Sequence, residues 1–191
     1  MNVIQTLRDL LVRPASAHCD TEDGPAVVDG RRALEEGNVN IALKWVHPDG
    51  EAEVREAYDK ARRVRAAGGE AAEVADRWFL ETLVRVHRAG EGAGFDGIKP
   101  AWTPIPPEVA AADLAIERRS IDPLRGLVAD ERWAELERRF DRAVSLRDFD
   151  PDDLDAARRY MQAYVSFFKY AEGHDHGHGH DEQHAHHAHA H

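Results

Sequence analysis

Slid along itself by 82 positions, the sequence comes into register with no gap. Pro25, Val27 and Ala33 fall on Pro107, Val109 and Ala115, and Glu35 and Val46 on Glu117 and Val128. Further on, Tyr58, Asp59, Ala61 and Arg65 meet Phe140, Asp141, Ala143 and Arg147, with Trp78 over Tyr160. A chain that writes one unit twice must bury the same apolar faces twice. Two units packed about a pseudo-twofold axis would do so. This sets an expected organisation: a leader over residues 1–17, repeat 1 over 18–89, a linker over 90–106 and repeat 2 over 107–172, with a tail from 173 to 191.

Each copy reads as helical. Pro25 suits the first position of a helix, where the missing N–H costs nothing, and Gly37 can end it. A short helix over 39–46 is expected next. Asp49 can cap a third helix, whose Val54, Tyr58, Ala61 and Val64 keep helical spacing. The fourth, about 69–89, carries Val74, Trp78, Phe79, Leu80, Leu83, Val84 and Val86, an apolar surface wide enough to make it central. The second copy repeats this over Val109–Arg118, Ile121–Val128, Trp133–Leu146 and Leu154–Glu172, the last capped by Asp152. No segment alternates with period two, so strands are not expected. The fold class is therefore all-α, a helical bundle of two tandem units.

The charge balance narrows the partners. With 25 Lys and Arg against 36 Asp and Glu the formal charge is −11, and no basic stripe stands out to track a phosphate backbone, which argues against nucleic acid. No apolar run approaches the roughly 20 residues of a membrane span. Acidic helical bundles often associate, so a homo-oligomer is compatible, but no heptad seam predicts one. Arg8 and Asp9 interrupt the apolar part of the leader, and no basic segment precedes it, so it reads as a short cytoplasmic leader and not a secretory signal. A single cysteine, Cys19, excludes an internal disulfide framework.

That cysteine lies in His18-Cys19-Asp20, directly after Ala15-Ser16-Ala17, a small-residue pattern that a leader peptidase cuts after. Cleavage would make His18 an N-terminus whose amine and imidazole, with the Cys19 amide and thiolate, reach one ion in a flat array suited to Ni(II) or Cu(II). A free cysteine is usually a small buried hydrophobe, but no core would select the polar Asp20-Thr21-Glu22-Asp23-Gly24 that follows. Residues present in one copy alone are candidates for a site. His18 to Asp20 precede the first copy, His87 falls over Lys169, Glu81 over Ala163 and Glu91 over Gly173. His87 shares the stripe of Leu80, Leu83 and Val84. Glu91 shares its face at i, i+4 if the helix continues through Gly90, whereas Glu81 lies about 120° away. Asp20 or Asp23 would stand behind these ligands.

Two resemblances bear on these residues. Ser16-Ala17-His18-Cys19-Asp20, with Gly24 beyond, resembles the processing site and hook of the nickel superoxide dismutases, a helical-bundle family. The resemblance implies that the His18 amine and imidazole and the Cys19 amide and thiolate are metal ligands and that His18 and Cys19 are catalytic. Asp23 stands where that family has a second cysteine. Over nearly its full length the chain is more similar to an uncharacterised all-helical family marked by His-Cys-Asp-x-x-Asp-Gly-Pro, seen here as His18 to Pro25, and sharing Glu81 to Gly92. That resemblance implies a leader before the tripeptide and no particular activity.

The tail holds nine of the twelve histidines. His174, His176, His178, His180, His184, His186 and His187 lie among Gly, Ala and Asp in a segment too polar to pack a core and expected to be disordered. Imidazoles so spaced suit exchangeable Ni(II), Cu(II) or Zn(II). The sequence thus points to a transition-metal protein, nickel first and then copper or zinc, in the form of a superoxide dismutase-like oxidoreductase. A metal storage or delivery protein using the tail is the other reading. A third is a structural module whose tail is incidental.

Overall fold

The computed structural model describes residues 18–173. Among the described residues seven α-helices follow one another: α1 (Pro25–Glu36), α2 (Asn40–Leu43), α3 (Glu51–Arg65), α4 (Gly69–Gly90), α5 (Pro107–Arg118), α6 (Trp133–Leu146) and α7 (Leu154–Ala171). Among the described residues the only β-type pairing is an isolated bridge between Thr21 and Lys99. The protein is an all-α bundle. The leader and the histidines from His174 onward lie outside the described residues.

The two long helices organise the packing. Helix α4 carries α3 and α1 on its faces, and α7 carries α6 and α5 in the same way. The core between them is built from Phe79, Leu83 and Val84 on α4 and Phe167 and Phe168 on α7, each 1% exposed or less. Burial of such side chains contributes on the order of 1.5–3 kcal/mol each. A Cβ on Gly30 would stand 2.6 Å from a Leu80 methyl, so the lack of a side chain there lets α1 lie close against α4.

Local geometry recurs at the 82-residue spacing. Gly37 and Arg119 both end their helices in the left-handed region, at φ 73° and 53°. Behind them the Asn38 amide donates to Ala33 and the Ser120 amide to Ala115, each at 3.1 Å. Short 3₁₀ turns fall at Pro48–Gly50 and Asp130–Arg132. Arg65 Nη1 donates to the Leu34 carbonyl at 3.1 Å and Arg147 Nη1 to the Ile116 carbonyl at 2.6 Å, so one arginine ties the end of each unit's first helix to its third.

Several expectations need correction. The helix expected over 39–46 is only the four residues of α2, and its counterpart over Ile121–Val128 is a 3₁₀ turn at Asp122–Leu124, where Pro123 removes a donor. Asp49 does not cap α3; it sits within the 3₁₀ turn, and Gly50 precedes the helix without a side-chain cap. Asp153, not Asp152, caps α7, accepting from the Ala156 amide at 2.8 Å. Asp152 is turned toward the other unit, where Asn38 donates to it at 2.9 Å. Val64, Val74 and Trp78 are 44% exposed or more, so α3 and the first half of α4 are apolar over a narrower face than their composition suggests. Helix α4 runs one residue past the expected boundary, through Gly90.

Candidate functional site

His18, Cys19, Asp20 and Thr21 are all 3% exposed or less, so that, while Asp23 is exposed, the first part of the polar segment Asp20–Gly24 is buried. Three contacts hold it there. The Lys99 amide donates to the Asp20 carbonyl at 2.7 Å and the Glu22 amide to the Lys99 carbonyl at 2.9 Å, so the 90–106 linker runs alongside. Thr21 Oγ1 donates to the His18 carbonyl at 3.1 Å, closing a turn. Gly24 fits under that turn, for a Cβ on it would stand 2.1 Å from the His18 carbonyl oxygen. The next residue, Pro25, begins α1. The run His18 to Pro25 is thus a buried turn, a glycine that admits it, and a helix start.

Each imidazole near Cys19 has one nitrogen turned outward to a fixed partner. His18 Nε2 lies 3.3 Å from Asp113 Oδ2 and 3.3 Å from the Tyr164 hydroxyl, and Tyr164 donates to Asp113 Oδ1 at 2.5 Å. With Tyr164 donating to Asp113, His18 Nε2–H is the donor to both. His18 Nδ1 therefore faces inward, 3.8 Å from Cys19 Sγ. His87 Nδ1 donates to the Trp45 carbonyl at 2.8 Å, leaving Nε2 as its inward nitrogen. That Nε2 is buried and has no hydrogen-bond partner, and Glu91 Oε2 stands 3.9 Å from it. The rings are seated by edge contacts, His18 on Phe168 and His87 on Trp45.

Charge follows this geometry. Burial alone would raise the Cys19 thiol, but the contact with His18 and the positive charge of His18 and His87 outweigh it, and the thiol titrates below its ordinary value. For His18 burial works downward and is overcome by Asp113 and Cys19, which push the imidazole up to about 10. His87 is raised in the same sense, against burial, by Cys19 and then Glu91. The centre sets a thiol of lowered pKa beside two histidines of raised pKa, an arrangement that favours the charged forms of all three. Asp20 lies beyond it, its carboxyl raised by burial although Arg88 stands 3.4 Å away and Lys99 3.9 Å.

The expected site residues divide as follows. His18, Cys19, His87 and Glu91 come together. Asp20 is buried behind them, but Asp23 is exposed and does not support the site. Glu81 pairs with Arg77 at 2.7 Å on another face of α4. Among the described residues no group of three or more His, Cys, Asp or Glu side chains is placed to hold a metal ion. Cys19 Sγ, His18 Nδ1 and His87 Nε2 nonetheless lie in one buried region, and Nε2 of His87 has no hydrogen-bond partner. Asp113, Tyr164 and Trp45 were not foreseen. The signal was available: Asp113 falls over Arg31 and Tyr164 over Thr82 in the 82-residue register, so both belong to one copy alone.

Residues 23–170 match a family of unknown function, DUF6448. The chain belongs to that family. The match takes in His87, Glu91, Asp113 and Tyr164, while His18 to Asp20 lie just ahead of it. No curated protein and no solved structure matches the chain.

Proposed function

We propose that this DUF6448 member is a transition-metal protein, its ion held by Cys19 Sγ with His18 Nδ1 and His87 Nε2. The observation that supports this reading is the outward bonding of both imidazoles. Metal-binding histidines usually give their second nitrogen to a carboxylate or a backbone carbonyl, which fixes the ring and its tautomer. Here those partners are Asp113, with Tyr164, and the carbonyl of Trp45. One thiolate and two imidazoles suit nickel, copper or zinc. Cleavage after Ala17 would add the His18 amine, and Glu91 is a fourth side chain within reach of His87. An open position on such an ion would allow redox turnover of the superoxide dismutase type.

Because ligands must shed protons to bind, loading should release protons and tighten with rising pH. The test is a titration of the full chain with Ni(II) and Cu(II), followed by thiolate-to-metal absorption. The tail contains no cysteine, so only Cys19 can give that band. One equivalent should produce it, Cys19→Ser should remove it, and a wild type that never develops it would end the proposal. Storage or delivery is the second reading, favoured by the nine histidines from His174 onward. It predicts several weak, exchangeable ions whose number is unchanged by Cys19→Ser.

A further inference from the structure

A cleft of roughly 1250 Å³ opens between α6, α7 and the segment 44–48, and His87 and Glu91 from the end of α4 also line it. Its charge runs against that of the molecule. Seven of the chain's 25 Lys and Arg line it, against one of the 36 Asp and Glu. On a chain of net charge −11 such a concentration is unexpected from composition, and a cleft lined by one sign focuses the field on its interior.

Five of the cations are already engaged. Lys44 pairs with Asp29, Arg138 and Arg139 with Glu135, Arg158 with Glu51 and Lys169 with Glu91. Arg142 on α6 and Arg159 on α7 are exposed and have no carboxylate partner among the described residues. Deeper in, Arg158 Nε is buried with no hydrogen-bond partner. Unused guanidinium donors thus stand both at the exposed rim, on Arg142 and Arg159, and on a buried wall, at Arg158 Nε, of one cavity. Val46, Pro48, Met161 and Val165 supply apolar wall between them.

We infer that this cleft binds a small organic anion bearing two or more phosphate or carboxylate groups, gripped at the mouth by Arg142 and Arg159. Planar guanidinium forks suit both kinds of group, and each charge-assisted bond is shorter and stronger than a neutral one. A concave site with apolar walls and a few convergent polar groups fits a small molecule better than an extended polymer. The inference does not depend on the metal reading, since none of these arginines is a proposed ligand.

The test is calorimetric titration of the full, metal-stripped chain with tripolyphosphate and with citrate, at low and at physiological ionic strength. Saturable 1:1 binding of either is expected, and the tighter of the two assigns phosphate or carboxylate. Arg142→Ala with Arg159→Ala should weaken it at least about 10-fold, the loss of a charge-assisted bond being worth roughly 1.5–3 kcal/mol. Lys60→Ala with Arg63→Ala, two exposed cations outside the cleft, should leave it unchanged. Binding should persist in Cys19→Ser, which separates this result from failure of the metal proposal. No saturable binding of either anion, an equal loss in the control pair, or binding only of an acidic peptide or an oligonucleotide would overturn the inference.

Discussion

The first and second halves of the molecule use the same backbone devices and carry different chemistry. Gly37 and Arg119, the 3₁₀ turns at Pro48–Gly50 and Asp130–Arg132, and the arginine ties from Arg65 and Arg147 sit 82 residues apart in matching roles. The positions facing the His18–Asp20 turn do not match. Gly24 falls over Pro106, Arg31 over Asp113, Thr82 over Tyr164 and His87 over Lys169. Matched positions maintain the scaffold, and unmatched ones on both sides converge on Cys19. The site therefore belongs to neither half alone.

Substitutions at paired positions can break or sharpen this contrast. The largest difference is expected at Gly24. A methyl there meets a backbone oxygen that cannot move cheaply, so Gly24→Ala should cost about 3 kcal/mol in a denaturant titration, the upper range for overpacking. Pro106→Ala, at the matched position, should cost well under about 1 kcal/mol, as surface changes generally do. Equal costs would mean that the His18–Asp20 turn is not seated where the contacts place it.

Asp113→Asn should come next, at about 2 kcal/mol, for it removes a charged hydrogen-bond partner from buried His18, while Arg31→Ala, which loses an exposed bond from Nη1 to the Glu22 carbonyl at 2.9 Å, should cost less, about 1 kcal/mol. The pH dependence gives an independent check. The His18 imidazole is raised from 6.5 to about 10, so its contribution is fully present below about 6.5 and is lost as pH rises through about 10. The Cys19 thiol is lowered, so its contribution is present above the ordinary thiol value and is lost as pH falls through its folded value. The wild-type melting temperature should fall by several degrees on approaching pH 10, and Asp113→Asn should begin that fall at lower pH. Ultraviolet titration of the thiolate should show Cys19 ionising later in the variant.

Arg65→Ala and Arg147→Ala should be alike, each about 1.5 kcal/mol for a charged bond to a carbonyl. A difference above about 1 kcal/mol would mean that the two ties do not carry equal load. The smallest effect is expected at the helix ends. Arg119 holds φ 53° with a side chain, where Gly37 has none. Arg119→Gly should be neutral or stabilising by up to about 0.5 kcal/mol, and Gly37→Ala should cost about 1 kcal/mol. The gain at Arg119 is limited because its guanidinium also pairs with Asp148 at 2.5 Å.

The helices were legible from their prolines, their period and their repetition, because these are local signals. The turn around Cys19 was legible as chemistry and not as a place. Its acidic, polar residues read as surface, yet Asp20 is buried against Arg88 and Lys99, partners 68 and 79 positions further along the chain. Asp113 and Tyr164 are unmatched positions of the second copy, and only the packing of α5 and α7 against the His18–Asp20 turn brings them to His18. The cationic cleft was hidden in the same way. Arg138, Arg142, Arg158 and Arg159 each read as the solvated side of an amphipathic helix, and only the packing of α6 beside α7 brings them to one cavity.

The central claim is that Cys19 is a thiolate ligand oriented between His18 and His87. Its most direct measurement is the thiolate-to-metal absorption of the full chain on addition of one equivalent of Ni(II) or Cu(II), compared among wild type, His87→Ala, Asp113→Asn and Cys19→Ser. The account predicts a band in the wild type and none in Cys19→Ser. In His87→Ala and Asp113→Asn the apparent metal affinity should drop about 10–100-fold, as when such supporting partners are lost. A wild type without the band, or a band of equal affinity in the His87 and Asp113 variants, would contradict it.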